Sequence, residues 1–91
     1  MLSRIEDELE LLERHLEILR LVIGNEPIGI IKLSEMSNTP QHKIRYSLRI
    51  LEQHNMIRPS RRGAVSTDRA HQFLSELPSR LNEISKKIKG F

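Results

Sequence analysis

Between residues 40 and 62 the chain collects side chains suited to gripping a polyanion and reading base edges. Gln41, His42, Lys43, Arg45, Tyr46 and Arg49 crowd into one short run. Arginine presents a planar fork of donors that fits guanine, and glutamine can both donate to and accept from adenine. Arg45 and Arg49 are therefore the expected guanine contacts and Gln41 the adenine contact. Lys43 is better suited to a phosphate, and His42 and Tyr46 suit either role. Arg61 and Arg62 precede Gly63, as at the tip of a turn. From such a tip they would reach the minor groove or the backbone beside it. A single basic helix face is as often a solvated surface as a binding one. Two isolated loop arginines are more often solvated than bound.

The distribution of charge along the chain bears on both readings. Residues 1–27 hold three basic and seven acidic groups, net −4, whereas residues 28–66 hold seven basic and two acidic, net +5. Residues 67–91 hold five basic and three acidic groups, net +2, for a total of +3. Positive charge is thus concentrated where the base-reading side chains lie, the footprint of a nucleic-acid partner.

Other chemistries find no support. His15, His42, His54 and His71 share no metal-ligand spacing, and there is no cysteine. Gly24 and Gly29 lack the lysine-serine end of a phosphate loop, and no serine sits in a nucleophile elbow. The expectation is a protein that is not an enzyme and takes no metal, cofactor or small-molecule ligand. The lack of cysteine fits a reducing compartment. No apolar run nears the roughly 18 residues of a membrane span, and no signal-peptide core opens the chain. A cytoplasmic protein with no membrane partner is expected.

Four helical patterns and a hairpin must position these residues. Leu2, Ile5, Leu9, Leu12, Leu16, Leu19 and Ile23 alternate by three and four, a heptad seam that ends at Gly24-Asn25 before Pro27. Leu12 to Ile23 suffices for the first helix of a small domain. The turns before it are surplus, with Leu11, Ile18 and Val22 widening the apolar face. Pro27-Ile28-Gly29 reads as a minimal strand. Ile30 to Ser37 reads as a short helix with Ile30, Leu33 and Met36 inward and Lys32 outward. Ser37-Asn38-Thr39 is a tight break, with Thr39 as N-cap and Pro40 as first residue of the next helix. In that helix Ile44, Leu48 and Leu51 form the buried stripe, and Asn55 suits a left-handed position past its end. Met56–Ser60 and Ala64–Thr67 read as a hairpin with Gly63 at the turn. Pro59 confines its strand to an edge or a non-bonded position. Thr67 caps a last helix carrying Ala70, Leu74, Leu77, Leu81, Ile84 and Ile88, whose phase runs unbroken through Pro78 as in one kinked helix.

The gap-free stretch Leu33 to Ile57, LSEMSNTPQHKIRYSLRILEQHNMI, resembles the core of the small prokaryotic, archaeal-type winged helix-turn-helix transcription regulators. That core runs roughly L-A-E-x-L-G-[IL]-S-x-x-[TS]-V-S-x-x-L-x-x-L-E-x-x-G-[LI]-[IV]. Leu33, Glu35, Leu48, Leu51, Glu52 and Ile57 match it; Asn38 and Asn55 replace its glycines and Ile44 its valine. Arg58 to Thr67 is similar to the wing and the threonine that opens the following helix. Ser37 and Thr39 depart from apolar positions, which implies a loosely packed turn. The resemblance implies a mainly α fold with a small β-hairpin, a winged helix-turn-helix with extended N- and C-terminal helices in a single domain over residues 1–91. It implies a recognition helix at about 40–54 in the major groove of double-stranded DNA and a wing at about 58–66 on flanking DNA.

Residues 1–11 and 78–91 are left over as dimerisation extensions, with Leu2, Ile5, Leu9, Leu81, Ile84 and Ile88 as the contact residues of a homodimer. The rival expectation is a winged-helix protein–protein interaction module in a larger assembly. The polar, basic outer face of the 40–54 helix argues against it.

Overall fold

The computed structural model describes the chain from Leu2 onward, with side chains described from Arg4. The Leu2 side chain, expected on the dimer surface, lies outside the described residues. Helix α1 (Leu2–Asn25) is followed by α2 (Ile30–Ser37), α3 (Gln41–Gln53), strands β1 (Ile57–Ser60) and β2 (Gly63–Ser66), and α4 (Asp68–Lys89). The fold is mainly helical with one antiparallel hairpin, in the arrangement of a winged helix-turn-helix with long terminal helices. Among the described residues no helix is long and apolar enough to cross a membrane.

The heptad seam of α1 reaches the core only in its second half, where Leu19 is sealed and Ile23 packs against the core. The stripe it buries is Ile18, Leu19 and Val22, all fully inaccessible, while Leu16 and Ile23 are half-buried and Leu12 is exposed. Ile18 and Val22, which in the sequence only widen the apolar face, become its centre. This flank meets α2, α3 and β2 together. Leu33 from α2, Ile44 and Leu51 from α3, Ile28, Met56, Ile57, Ala64 and Ala70 complete the core.

The turn between α2 and α3 is tied by hydroxyls rather than loosely packed. Asn38 adopts φ 51° and ψ 42°, the left-handed conformation that asparagine tolerates. Ser34 Oγ donates to the Thr39 carbonyl at 2.5 Å, and Ser37 Oγ to the Leu33 carbonyl at 2.6 Å. Thr39 is not the N-cap of α3. Its hydroxyl donates to the Ser37 carbonyl at 3.1 Å, and Pro40 occupies the cap, its carbonyl accepting from Lys43 and Ile44. The hydroxyl is already engaged in closing the preceding turn, so α3 begins one residue late. Met36, expected inward, is exposed: Leu33 and the half-buried Ile30 fill the narrow contact that two turns of helix allow.

Helix α3 ends in a Schellman arrangement. Asn55 takes φ 60°, its amide donates to the Glu52 carbonyl at 3.0 Å, and the Met56 amide donates to the Leu51 carbonyl at 2.9 Å. The reversal points the chain into the wing. Ile28 bridges Ala64 on the far side of β2, with amide-to-carbonyl bonds of 3.2 and 2.7 Å in the two directions. Ala64 thus spends both backbone groups on Ile28, so Pro59, which faces Ala64 across the hairpin, is asked for no donor. Gly63 has φ 134°, and a Cβ there would collide with the Ile28 carbonyl.

Thr67 caps α4 by accepting from the Ala70 amide at 3.2 Å while donating to the Asn55 carbonyl at 2.6 Å. The helix continues through Pro78 without interruption. Ala70 is buried and Phe73 and Leu74 pack partly on the core; beyond them Leu81, Ile84 and Ile88 are exposed. The seam residues Ile5 and Leu9 of α1 are exposed as well, Leu9 at 55 %.

Ile44 is fully buried in the centre of this core. Ile44→Ala is expected to cost about 2–5 kcal/mol of stability, read as a lower urea midpoint with an unchanged slope. A parent-like midpoint would contradict this placement.

Candidate nucleic-acid interface

Helix α3 buries Ile44, Ser47 and Leu51 and half-buries Leu48, which turns the opposite face to solvent. Gln41, His42, Lys43, Arg45, Tyr46 and Arg49 are all exposed, but they do not form one patch. His42 and Arg49 lie on the crest opposite the buried stripe. Gln41 and Arg45 sit on the flank toward α2, where they line a groove with Gly29, Ile30, Ile31, Lys32 and Glu35. Lys43 lies on the other flank, bordering a groove shared with Glu10, Glu13 and Glu17 of α1. Tyr46 leans toward α1, its ring centroid 6.0 Å from that of His15.

The wing adds a second basic surface. Arg61 and Arg62 form the turn between β1 and β2 and are exposed. Arg58 joins them: Ile57 points into the core, so the next residue must point out. The same alternation in the sequence carries this signal. Lys32 is likewise exposed, and the groove it shares with Gln41 and Arg45 puts it beside the crest of α3. Among the described residues the only ion pairs are Arg4–Glu8 and Arg20–Glu17, both within α1. Lys32, Lys43, Arg45, Arg49, Arg58, Arg61 and Arg62 therefore have no carboxylate partner among them. Cations left both exposed and unpaired are open to an outside anion.

The end of the wing is held by an anion of the chain itself. Ser66 donates to Glu26 Oε2 through its amide at 3.0 Å and its hydroxyl at 2.6 Å. These bonds hold the Glu26 carboxyl below its ordinary range, helped by the charge of His71.

A polar contact under α3 escapes the reading of apolar periodicity. Ser47 is fully buried, and its Oγ lies 2.8 Å from Nδ1 of His15 on α1. Both occupy apolar-stripe positions: Ser47 follows Ile44 by three residues, and His15 precedes Ile18 by three. The spacing marks them as inward-facing, although their polarity does not. Burial lowers the His15 pKa from its ordinary 6.5, with Arg14 and then His54 adding to the effect by repulsion.

No protein-family model matches the chain, and no curated protein matches it.

The His15 shift has a defined sign. Its folded pKa lies below the unfolded one, so below about pH 6.5 the native state binds fewer protons than the unfolded chain. The neutral ring contributes stability above that value, and the contribution is lost on acidification toward the folded pKa. Urea midpoints should fall between about pH 7.5 and pH 5.5, and His15→Gln should fall less over the same interval. Equal declines would remove His15 as the cause.

Proposed function

We propose that this chain is a sequence-specific double-stranded-DNA-binding transcription regulator that acts as a cytoplasmic homodimer. The observation that carries the reading is the set of exposed, unpaired cations on α2, α3 and the wing, on the surfaces a winged helix offers to a duplex. The crest of α3 enters the major groove. Arg45 and Arg49 read guanine, Gln41 reads adenine, and Lys32 and Lys43 flank them toward the phosphates. Arg58, Arg61 and Arg62 meet the backbone or minor groove beside the site. The exposed stripes of Ile5 and Leu9, and of Leu81, Ile84 and Ile88, close the dimer.

One observation favours a second reading, a protein-interaction module. Ile31 is 64 % exposed and lines the groove beside Lys32, Gln41 and Arg45, an apolar side chain next to the cations. DNA binding explains the cations and leaves Ile31 idle. The module reading explains Ile31 and leaves the cations idle, so the first reading accounts for more.

Two measurements test the DNA reading. A preferred site is first selected from random duplexes. Replacing an arginine that grips guanine then costs roughly 1–3 kcal/mol at one base position and relaxes preference there. Arg45→Ala and Arg49→Ala should show this loss while keeping parent-like melting, because surface changes usually stay within about 0.5 kcal/mol. Full affinity and preference in both variants would hand the lead to the interaction module.

The wing should behave differently from α3. Replacing Arg61 and Arg62 together by alanine should weaken selected and scrambled duplexes alike. The log–log salt slope should fall by about 0.9 for each phosphate that is no longer neutralised. An unchanged slope would make them solvated loop charges.

A further inference from the structure

Two helical segments protrude from the packed body with apolar stripes that nothing in the chain covers. One is the start of α1, where Ile5, Leu9 and Leu12 are exposed; the other is the end of α4, where Leu81, Ile84 and Ile88 are exposed. Their charges are opposite. Residues 4–13 hold one basic group, Arg4, against Glu6, Asp7, Glu8, Glu10 and Glu13, net −4, and every one of them is exposed. Residues 77–89 hold Arg80, Lys86, Lys87 and Lys89 against Glu83, net +3, again all exposed. A dimer that laid α1 on α1, or α4 on α4, would set like charge along both sides of an apolar seam. Charges flanking such a seam govern which helices pair.

We propose that two copies pair crosswise, the first half of α1 of each lying antiparallel against the last half of α4 of the other. The pairing rests on the homodimer reading above and specifies which faces meet. The stripes are matched in step: Ile5, Leu9, Leu12 and Leu16 advance by four, three and four residues, as do Leu77, Leu81, Ile84 and Ile88. That rhythm reads the same from either end, so spacing alone permits both directions. Charge position selects one. Run antiparallel, Ile5 meets Ile88, Leu9 meets Ile84 and Leu12 meets Leu81. The acidic cluster Glu6-Asp7-Glu8 then lies beside the basic cluster formed by Lys86, Lys87 and Lys89. Run parallel, that acidic cluster would meet only Arg80, and the lysines would lie beside Arg14 as well as Glu13 and Glu17. The antiparallel choice also opposes the two helix dipoles. The symmetry is that of an isologous pair, in which each copy gives one acidic and one basic arm.

Charge reversal on one arm separates crossed from like-with-like pairing. Glu6→Lys, Asp7→Lys and Glu8→Lys together should raise the dimer dissociation constant at least about tenfold in sedimentation, and Lys86→Glu, Lys87→Glu and Lys89→Glu together should do the same. All six in one chain should bring the constant back toward that of the parent. In like-with-like pairing the acidic arm would go from net −4 to +2 and the basic arm from +3 to −3, so neither reversal would raise the constant; that result would overturn the proposal. The absence of cysteine permits a second measurement that does not depend on charge. A Leu9→Cys copy mixed with an Ile84→Cys copy should form an interchain disulfide under mild oxidant. Either variant alone should form far less. Self-linking of the single variants above the mixture would overturn the crossed arrangement while leaving a homodimer in place. A monomeric parent at micromolar concentration would instead remove the homodimer itself.

Discussion

The rotation of α3 about its own axis is the constraint on which the rest of the molecule depends. Ile44, Ser47 and Leu51 are sealed beneath it, and Ile18, Leu19 and Val22 of α1 are sealed opposite. Removing that much apolar surface from water is the largest favourable term available to a chain this small. A slip of one residue would bring Arg45 or Tyr46 toward the core and carry Ile44 into solvent. The outward direction of the basic side chains is therefore a by-product of burial on the other side. The His15–Ser47 contact narrows the choice further, since a buried hydroxyl without a partner is costly and only this seating supplies one.

Polar groups at the joints keep the elements at fixed angles. Asn38 and Asn55 both take positive φ, one opening and one closing the approach to α3. The Thr67 hydroxyl holds the start of α4 against the Asn55 carbonyl, so the end of α3 and the root of the last helix share one bond. Glu26 does the equivalent for the wing by gripping Ser66. None of these contacts involves much area. They set direction, which apolar packing alone leaves loose.

Much of this is legible in the residue pattern because local physics and global packing agree. Ile44, Leu48 and Leu51 recur at helical spacing, Asn55 follows at the left-handed position, and Pro59 falls where no donor is needed. The pairing of Ile28 with the wing, reduced to a single bridge, and the passage of α4 through Pro78 follow from the same signals. Where pattern and structure part, the cause is shared. Thr39 is a good N-cap by type, but its hydroxyl has a competing carbonyl two residues back. The seam of α1 is a good core stripe by period, yet the body covers only its second half, so Leu19 is sealed while Ile5, Leu9 and Leu12 stay exposed. Met36 has the right phase but no neighbour. In the candidate site, the types and exposure of the basic residues can be read directly. Their division between two flanks and a crest cannot, because it depends on where α1 and α2 stand beside α3. Lys43 beside the carboxylates of α1 is the plainest instance.

The way α4 leaves the body has a mechanical meaning. Only its first turns are held, by the Thr67 cap and by Ala70, Phe73 and Leu74, while a helix of its length, 22 residues, reaches about 33 Å. Within one copy it is a lever fixed at one end. A rotation of about ten degrees at its root sweeps the tip through about 6 Å, a full turn of helix. Small repacking of the Phe73 and Leu74 side chains is thereby magnified at the far end, whereas the wing, stitched to Ile28 close to its own tip, has almost no arm to swing.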